Sequence, residues 1–191
     1  MKLYLMRHGE TDYNKARCFY GSLDISINAK GRQQAEMLRH LMAEVELDDI
    51  FTSQLRRTQE TAQIVFGEVP YLSLAGLNER PFGSWEGLNA DQIQEKDPIT
   101  WAAWLDTPFE VTPEDAEPFQ EFKERVEETI KKLMIRAPAD RLAIVAHLGV
   151  LRLIFQYLID PSADFWQIDF PQGTVTCLEQ EGSNWNVRLL K

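Results

Sequence analysis

Two apolar runs, residues 3–6 and 142–146, each stop dead at a histidine. Leu3-Tyr4-Leu5-Met6 leads into Arg7-His8-Gly9, and Leu142-Ala143-Ile144-Val145-Ala146 leads into His147-Leu148-Gly149. Short apolar runs bounded by charged, glycine-containing turns are the pattern of buried strands that end at a functional loop. The stretches between them read as alternating helices and strands. Such a chain is expected to fold as an α/β protein, a three-layer α/β/α sandwich with a largely parallel central sheet. In sheets of that kind, ligands bind beyond the carboxyl ends of the strands. Both histidines fall there.

The first strand end carries a guanidinium and an imidazole on consecutive residues. Two such groups repel unless an anion lies between them. Arginine forks two donors onto phosphate oxygens, and a neutral imidazole nitrogen can attack phosphorus. The net charge of −10 over 191 residues makes nucleic acid an unsuitable partner. It also means that a phosphate site must gather its few cations locally.

Three further stretches extend the pattern. Ser53-Gln54-Leu55-Arg56-Arg57-Thr58-Gln59-Glu60-Thr61 follows a strand expected over residues 48–52 and opens a helix, whose N-terminus already favours an anion. Asn78-Glu79-Arg80-Pro81-Phe82-Gly83-Ser84-Trp85-Glu86-Gly87 follows a third strand expected over 70–77. Arg152 lies five residues beyond His147. Together with Arg7-His8-Gly9-Glu10-Thr11, these stretches resemble the signatures of the histidine phosphatase superfamily, the phosphoglycerate-mutase-like enzymes.

That resemblance implies roles. His8 is the nucleophile and Glu79 the proton donor to the leaving alcohol, since a carboxyl group beside bound phosphate can supply that proton. Arg7, Asn14, Arg57, His147 and the backbone amide of Leu148 hold phosphate. Aligned on Ser53, Leu55 and Thr61, the functional arginine is Arg57, with Arg56 a surface residue. Arg152 is expected to brace the site, Glu86 to support it, and Arg80 to turn away from Glu79. No metal and no cofactor are called for, because the arginines supply the positive charge. Leu148 and the turn Ala116-Glu117-Pro118 depart from the family's commoner residues, which leaves the role of that turn open.

Elsewhere, residues 11–28 read as a long loop in which Arg17 is a solvated cation. Asn28 caps a helix over 29–44, on which His40 is exposed. A helix over 119–136 ends at Pro138, and 174–179 with 185–190 form a β-hairpin. The chain is expected to be one domain, residues 1–191, with a small cap at 88–118. That cap holds one lysine against eight carboxylates, plus Trp101, Trp104 and Phe109 as candidate substrate contacts. Its acidity argues against a small doubly charged ester such as a phosphoglycerate, and for a phosphate ester of a neutral or aromatic group. The alternatives are a broad-specificity or sugar phosphatase, behind it a phosphoglycerate mutase, and in another class a non-catalytic sensor of a phosphorylated ligand.

No apolar stretch is long enough to cross a membrane. With two cysteines and a charged start unlike a secretory leader, a cytoplasmic location is expected. The sequence sets no oligomeric state.

Overall fold

The computed structural model describes residues 1–135, 141–182 and 184–190. Its centre is a six-stranded sheet in the order β3-β2-β4-β1-β5-β6. β1 (Lys2–Arg7), β2 (Asp49–Thr52), β3 (Leu72–Ser73) and β4 (Arg141–Ala146) run parallel. β5 (Val175–Glu181) pairs antiparallel with β1, and β6 (Asn184–Leu190) pairs antiparallel with β5. The sheet is therefore mixed and mostly parallel, and the C-terminal hairpin accounts for the antiparallel part.

Side chains on a strand alternate between faces, and the two central strands use both. Leu3, Leu5, Leu142, Ile144 and Ala146 join one buried cluster with Phe122, Val126 and Ile154. Those partners lie on α6 (Phe119–Ile135) and α7 (Leu148–Leu158). Tyr4, Met6, Ala143 and Val145 join a second cluster with Ala35, Leu38 and Val65, from α2 (Ala29–Met42) and α3 (Arg56–Phe66). Three layers result. Asn28 caps α2 by accepting from the Gly31 amide, and His40 is exposed, as the spacing predicts.

Two expectations need correction. The loop over 11–28 contains one helical turn, α1 (Asp12–Lys15), closed by a reciprocal cap between Thr11 and Asn14. Local Ser/Thr/Asn side-chain bonding competes for backbone in this way and leaves little trace in hydrophobic periodicity. The third strand is only two residues long and exposed, giving way to a 3-10 turn at Ala75–Leu77. Gly76 sits there because a Cβ would fall 1.8 Å from Thr129 Oγ1 on α6. The Pro138 helix stop and Ser183 in the hairpin turn lie outside the described residues.

Residues 88–118 form α4 (Ala90–Lys96), α5 (Pro98–Asp106) and a closing loop. Their core is aromatic: Trp85, Trp101, Trp104 and Ile93, with Phe19 and Phe82 against them. Asp97 joins the two helices, capping α5 through Thr100 N and accepting from Trp85 Nε1 at 3.1 Å.

Candidate active site

The carboxyl ends of β1, β2 and β4 converge on one cavity of about 350 Å³. Arg7 and His8 come off β1, Arg57 from the first turn of α3 after β2, Glu79 from the segment after β3, and His147 from the end of β4. The β1 turn is pressed against α2 so closely that a Cβ on Gly9 would lie 2.4 Å from Gly31 O, so both positions require glycine. Gly9 N also donates to Thr61 Oγ1 at 3.0 Å, which explains the threonine in the second signature.

His8 is 3 % exposed. Its Nδ1 lies 2.7 Å from Gly9 O, an acceptor only, so Nδ1 carries the proton. Nε2 is left with its lone pair and has no partner among the described residues. Burial, and then the charges of Arg57 and Arg7, hold this imidazole well below the usual histidine range, with the bond to Gly9 opposing them. The ring is a neutral base at neutral pH.

Arg57 is 1 % exposed and anchored at three points. Nη1 donates to Leu23 O at 2.7 Å, Nη2 to Gly21 O at 2.8 Å, and Nε to His147 Nδ1 at 3.2 Å. The ring of Tyr20 lies 4.8 Å from its guanidinium carbon. Since Nδ1 of His147 accepts from Arg57, its Nε2 carries the proton and donates to Ser53 Oγ at 2.8 Å. His147 is also held well below the usual range, by burial first and Arg57 next. Its ring centre lies 5.2 Å from that of His8. Both nitrogens of His147 are thus taken, so it backs Arg57, and a phosphate contact would require one of these bonds to break. Arg56, as expected, is exposed and paired with Glu60.

Arg7 differs from Arg57. Its guanidinium makes no hydrogen bond among the described residues, and its Nε is buried without a partner. An unsatisfied buried donor costs about 1–3 kcal/mol, more for a charged group, which favours an anion beside it. Arg7 Nε, Arg80 Nη2 and Trp104 Nε1 are the buried side-chain polar atoms without partners among the described residues, and all three residues line this cavity.

The Glu79 carboxylate accepts from Arg80 N at 3.0 Å and from Gly149 N at 3.1 Å. A Cβ at Gly149 would meet Glu79 Oε1 at 2.5 Å, so that contact needs glycine. The Arg80 side chain does turn away, donating Nε to Glu117 O with its guanidinium near the Phe82 and Phe119 rings. The atypical turn has a role after all. Glu117 pairs with Arg125 at 2.6 Å, and Arg125 in turn donates to Gly76 O, Asn78 O and Glu79 O. Sequence patterns gave no signal for Arg125.

Asn14 lines the cavity. Its Oδ1 accepts from Thr11 N and Gln172 Nε2, which leaves its amide N–H groups for a ligand. Leu148 also lines the cavity and opens α7, where the first amides have no intrahelical partner. Arg152 braces the far wall, donating to Ile168 O at 2.7 Å and Trp166 O at 3.2 Å.

The cap candidates divide. Trp104 lines the cavity; Trp101 stacks behind it at 5.5 Å as part of the cap core, and Phe109 lies outside, stacked on Trp166. The aromatic wall that sequence reasoning missed is Phe82, Phe119, Phe165 and Trp166. Its signals were Phe82 inside the third signature stretch and the Phe165-Trp166 pair in a polar loop. The acidic cap also fails as a guide to charge. None of its carboxylates lines the cavity, where among the described residues Arg7, Arg17, Arg57, Arg80 and Arg152 stand against Glu79 alone. Arg17 is exposed as expected, but at the cavity's rim and in a left-handed conformation, φ 55°.

A sheet of this topology with two neutral histidines among arginines at its carboxyl edge defines a phosphate-handling enzyme. Residues 3–191 match the model of the histidine phosphatase superfamily, branch 1. The chain is 34 % identical over 182 residues to the adenosylcobalamin/α-ribazole phosphatase of Salmonella typhimurium, covering 94 % of this chain and 90 % of that one. It superposes on the crystal structure of the α-ribazole phosphatase from Shigella flexneri with a TM-score of 0.92 at 31 % identity, covering 100 % of this chain and 96 % of that one. It is also 25 % identical over 185 residues to phosphoserine phosphatase 1 of Hydrogenobacter thermophilus, covering 95 % and 87 %. The chain belongs to the histidine phosphatase superfamily. Within it, the chain is a phosphatase.

Proposed function

We propose that this protein hydrolyses α-ribazole 5'-phosphate, a benzimidazole riboside ester, through a phosphohistidine on His8. The observation that carries the chemistry is the His8 ring: neutral, proton fixed on Nδ1, Nε2 unpartnered, beside an arginine with a buried orphan donor. His8 Nε2 attacks phosphorus, the ester P–O bond breaks, and the Glu79 carboxyl group protonates the departing alcohol oxygen. Glu79, now a carboxylate, takes a proton from water; the resulting hydroxide attacks phosphorus, and the P–N bond breaks to release phosphate and neutral His8. Arg7, Asn14, Arg57 and the Leu148 amide hold the non-bridging oxygens and match the charge that develops on them.

The substrate assignment is supported by the likeness to the α-ribazole phosphatases and by the aromatic wall of the cavity, which suits a flat organic group. Residues 1–191 act as one unit, in which the cap at 88–118 contributes Trp104 to that wall. The excess of arginines favours a second reading, a phosphate ester whose alcohol carries an additional anion, such as phosphoserine. Phosphate release from α-ribazole phosphate, phosphoserine, 3-phosphoglycerate, a sugar phosphate and p-nitrophenyl phosphate tests both. The expected result is a kcat/KM for α-ribazole phosphate well above all others, abolished by His8→Ala together with phosphoenzyme labelling. Preference for phosphoserine moves the assignment to the second reading, and a labelled His8→Ala enzyme removes His8 as nucleophile.

A further inference from the structure

Glu86 lines no part of the cavity, yet its carboxylate holds together the backbone on which the most buried arginine of the site rests. Oε1 accepts from Gly21 N at 2.8 Å, Ser22 N at 2.9 Å and Phe82 N at 2.9 Å, and Oε2 from Leu23 N at 3.3 Å. The Gly21 carbonyl, which shares a peptide with the Ser22 amide, accepts Arg57 Nη2, and the Leu23 carbonyl, on the same residue as the bonded Leu23 amide, accepts Nη1. Residues 21–23 belong to no helix or strand, and among the described residues no backbone–backbone bond sets where those carbonyls point. By accepting the Ser22 amide, the carboxylate polarises the Gly21–Ser22 peptide and strengthens the Gly21 carbonyl as an acceptor; by holding the Leu23 amide it fixes the residue whose carbonyl takes Nη1.

We infer that Glu86 is a positioning residue for phosphate binding: it fixes the Gly21–Leu23 carbonyls, and through them the Arg57 guanidinium that faces the transferred phosphoryl group. This inference rests on the phosphate-binding role of Arg57. Fixing a fork-shaped donor before the ligand arrives lowers the cost of ordering it on binding. A carboxylate is suited to the task because its negative charge, shared by two oxygens, draws several amide donors at once, three here on Oε1 and one on Oε2.

The test measures the competitive inhibition constant of inorganic phosphate, with p-nitrophenyl phosphate as reporter, for Arg57→Lys, Glu86→Gln, Glu86→Asp and the double variant Arg57→Lys/Glu86→Gln. An inhibition constant does not depend on how much of a preparation is folded, so it is insensitive to a purely structural loss, which calorimetry records separately. Glu86→Gln keeps the size and forces an amide against one N–H; Glu86→Asp keeps the charge but withdraws it by one methylene. We expect Arg57→Lys to weaken phosphate by about tenfold or more, and either Glu86 variant by about fivefold. The double variant should be no more than about twofold worse than Arg57→Lys, because both changes act on one group. An unchanged constant in both Glu86 variants beside a weakened Arg57→Lys, or a double variant equal to the product of the singles, overturns the inference and leaves the role of Arg57 intact. An unchanged constant in Arg57→Lys overturns that role, and the inference with it.

Discussion

The two ends of the cavity are built on different principles. At the phosphate end, charged and polar side chains are fixed by hydrogen bonds to backbone: His8 to Gly9 O, Arg57 to the carbonyls of residues 21 and 23, Glu79 to two amides. At the leaving-group end the wall is rings: Phe82, Trp104, Phe119, Phe165 and Trp166, held by edge-to-face and stacked contacts rather than by directed bonds. The first arrangement fixes direction, as transfer of a phosphoryl group along one line requires. The second offers area and shape, which suit a flat organic group and tolerate substitution. Directed bonds and ring contacts are therefore two different linings of one cavity.

This division can be broken first at Glu79. Glu79→Gln should lower kcat by about 10²- to 10⁴-fold for α-ribazole phosphate. For p-nitrophenyl phosphate, whose leaving group needs little protonation, the loss should be much smaller. Equal losses on the two substrates in steady-state assays would remove Glu79 as the proton donor.

At the other end, Trp166→Ala should change selectivity instead of chemistry. Trp166 is 47 % exposed, so its removal should barely move Tm, while kcat/KM for α-ribazole phosphate falls about tenfold relative to p-nitrophenyl phosphate. Trp101→Ala is the contrast. That ring is buried in the cap core, and its loss should destabilise by about 3–5 kcal/mol. A Trp166 variant that loses both substrates equally would erase the division between the two ends.

The smallest effect concerns pH. His8 and His147 are buried neutral and held well below the usual histidine range. Below a pH of about 6.5 the unfolded chain protonates these residues while the folded chain does not, so stability contributed by this difference is lost as pH falls through that window. Tm of the ligand-free protein should drop between pH 7 and pH 5, and His147→Gln should flatten part of the drop in calorimetric scans. A Tm independent of pH there would mean that the histidines are charged in the folded state.

Much of the phosphate end was legible in the chain. Residues 3–6 and 142–146 announce strands because apolar runs end abruptly, and a polar residue at such an end is positioned by backbone geometry alone. Arg57 could be told from Arg56 by aligning Ser53, Leu55 and Thr61 on the family signature, and the structure has one at 1 % exposure and the other on the surface. The third strand was over-read, because 70–77 is apolar enough for a strand while its glycine serves a 3-10 turn against α6.

By itself, the sequence determined the sheet's parallel core, the strand ends that carry chemistry, and the identity of the groups at them, since each depends on residues adjacent in the chain. Only the tertiary structure decided which way the cap's carboxylates face, which rings line the cavity, and how Arg57 is held. Those features join residues 21–23, 80–86, 104, 119 and 165–166. They meet because segments far apart in the chain are carried to the same edge of one sheet by the elements they join, and local pattern records neither the meeting nor the direction.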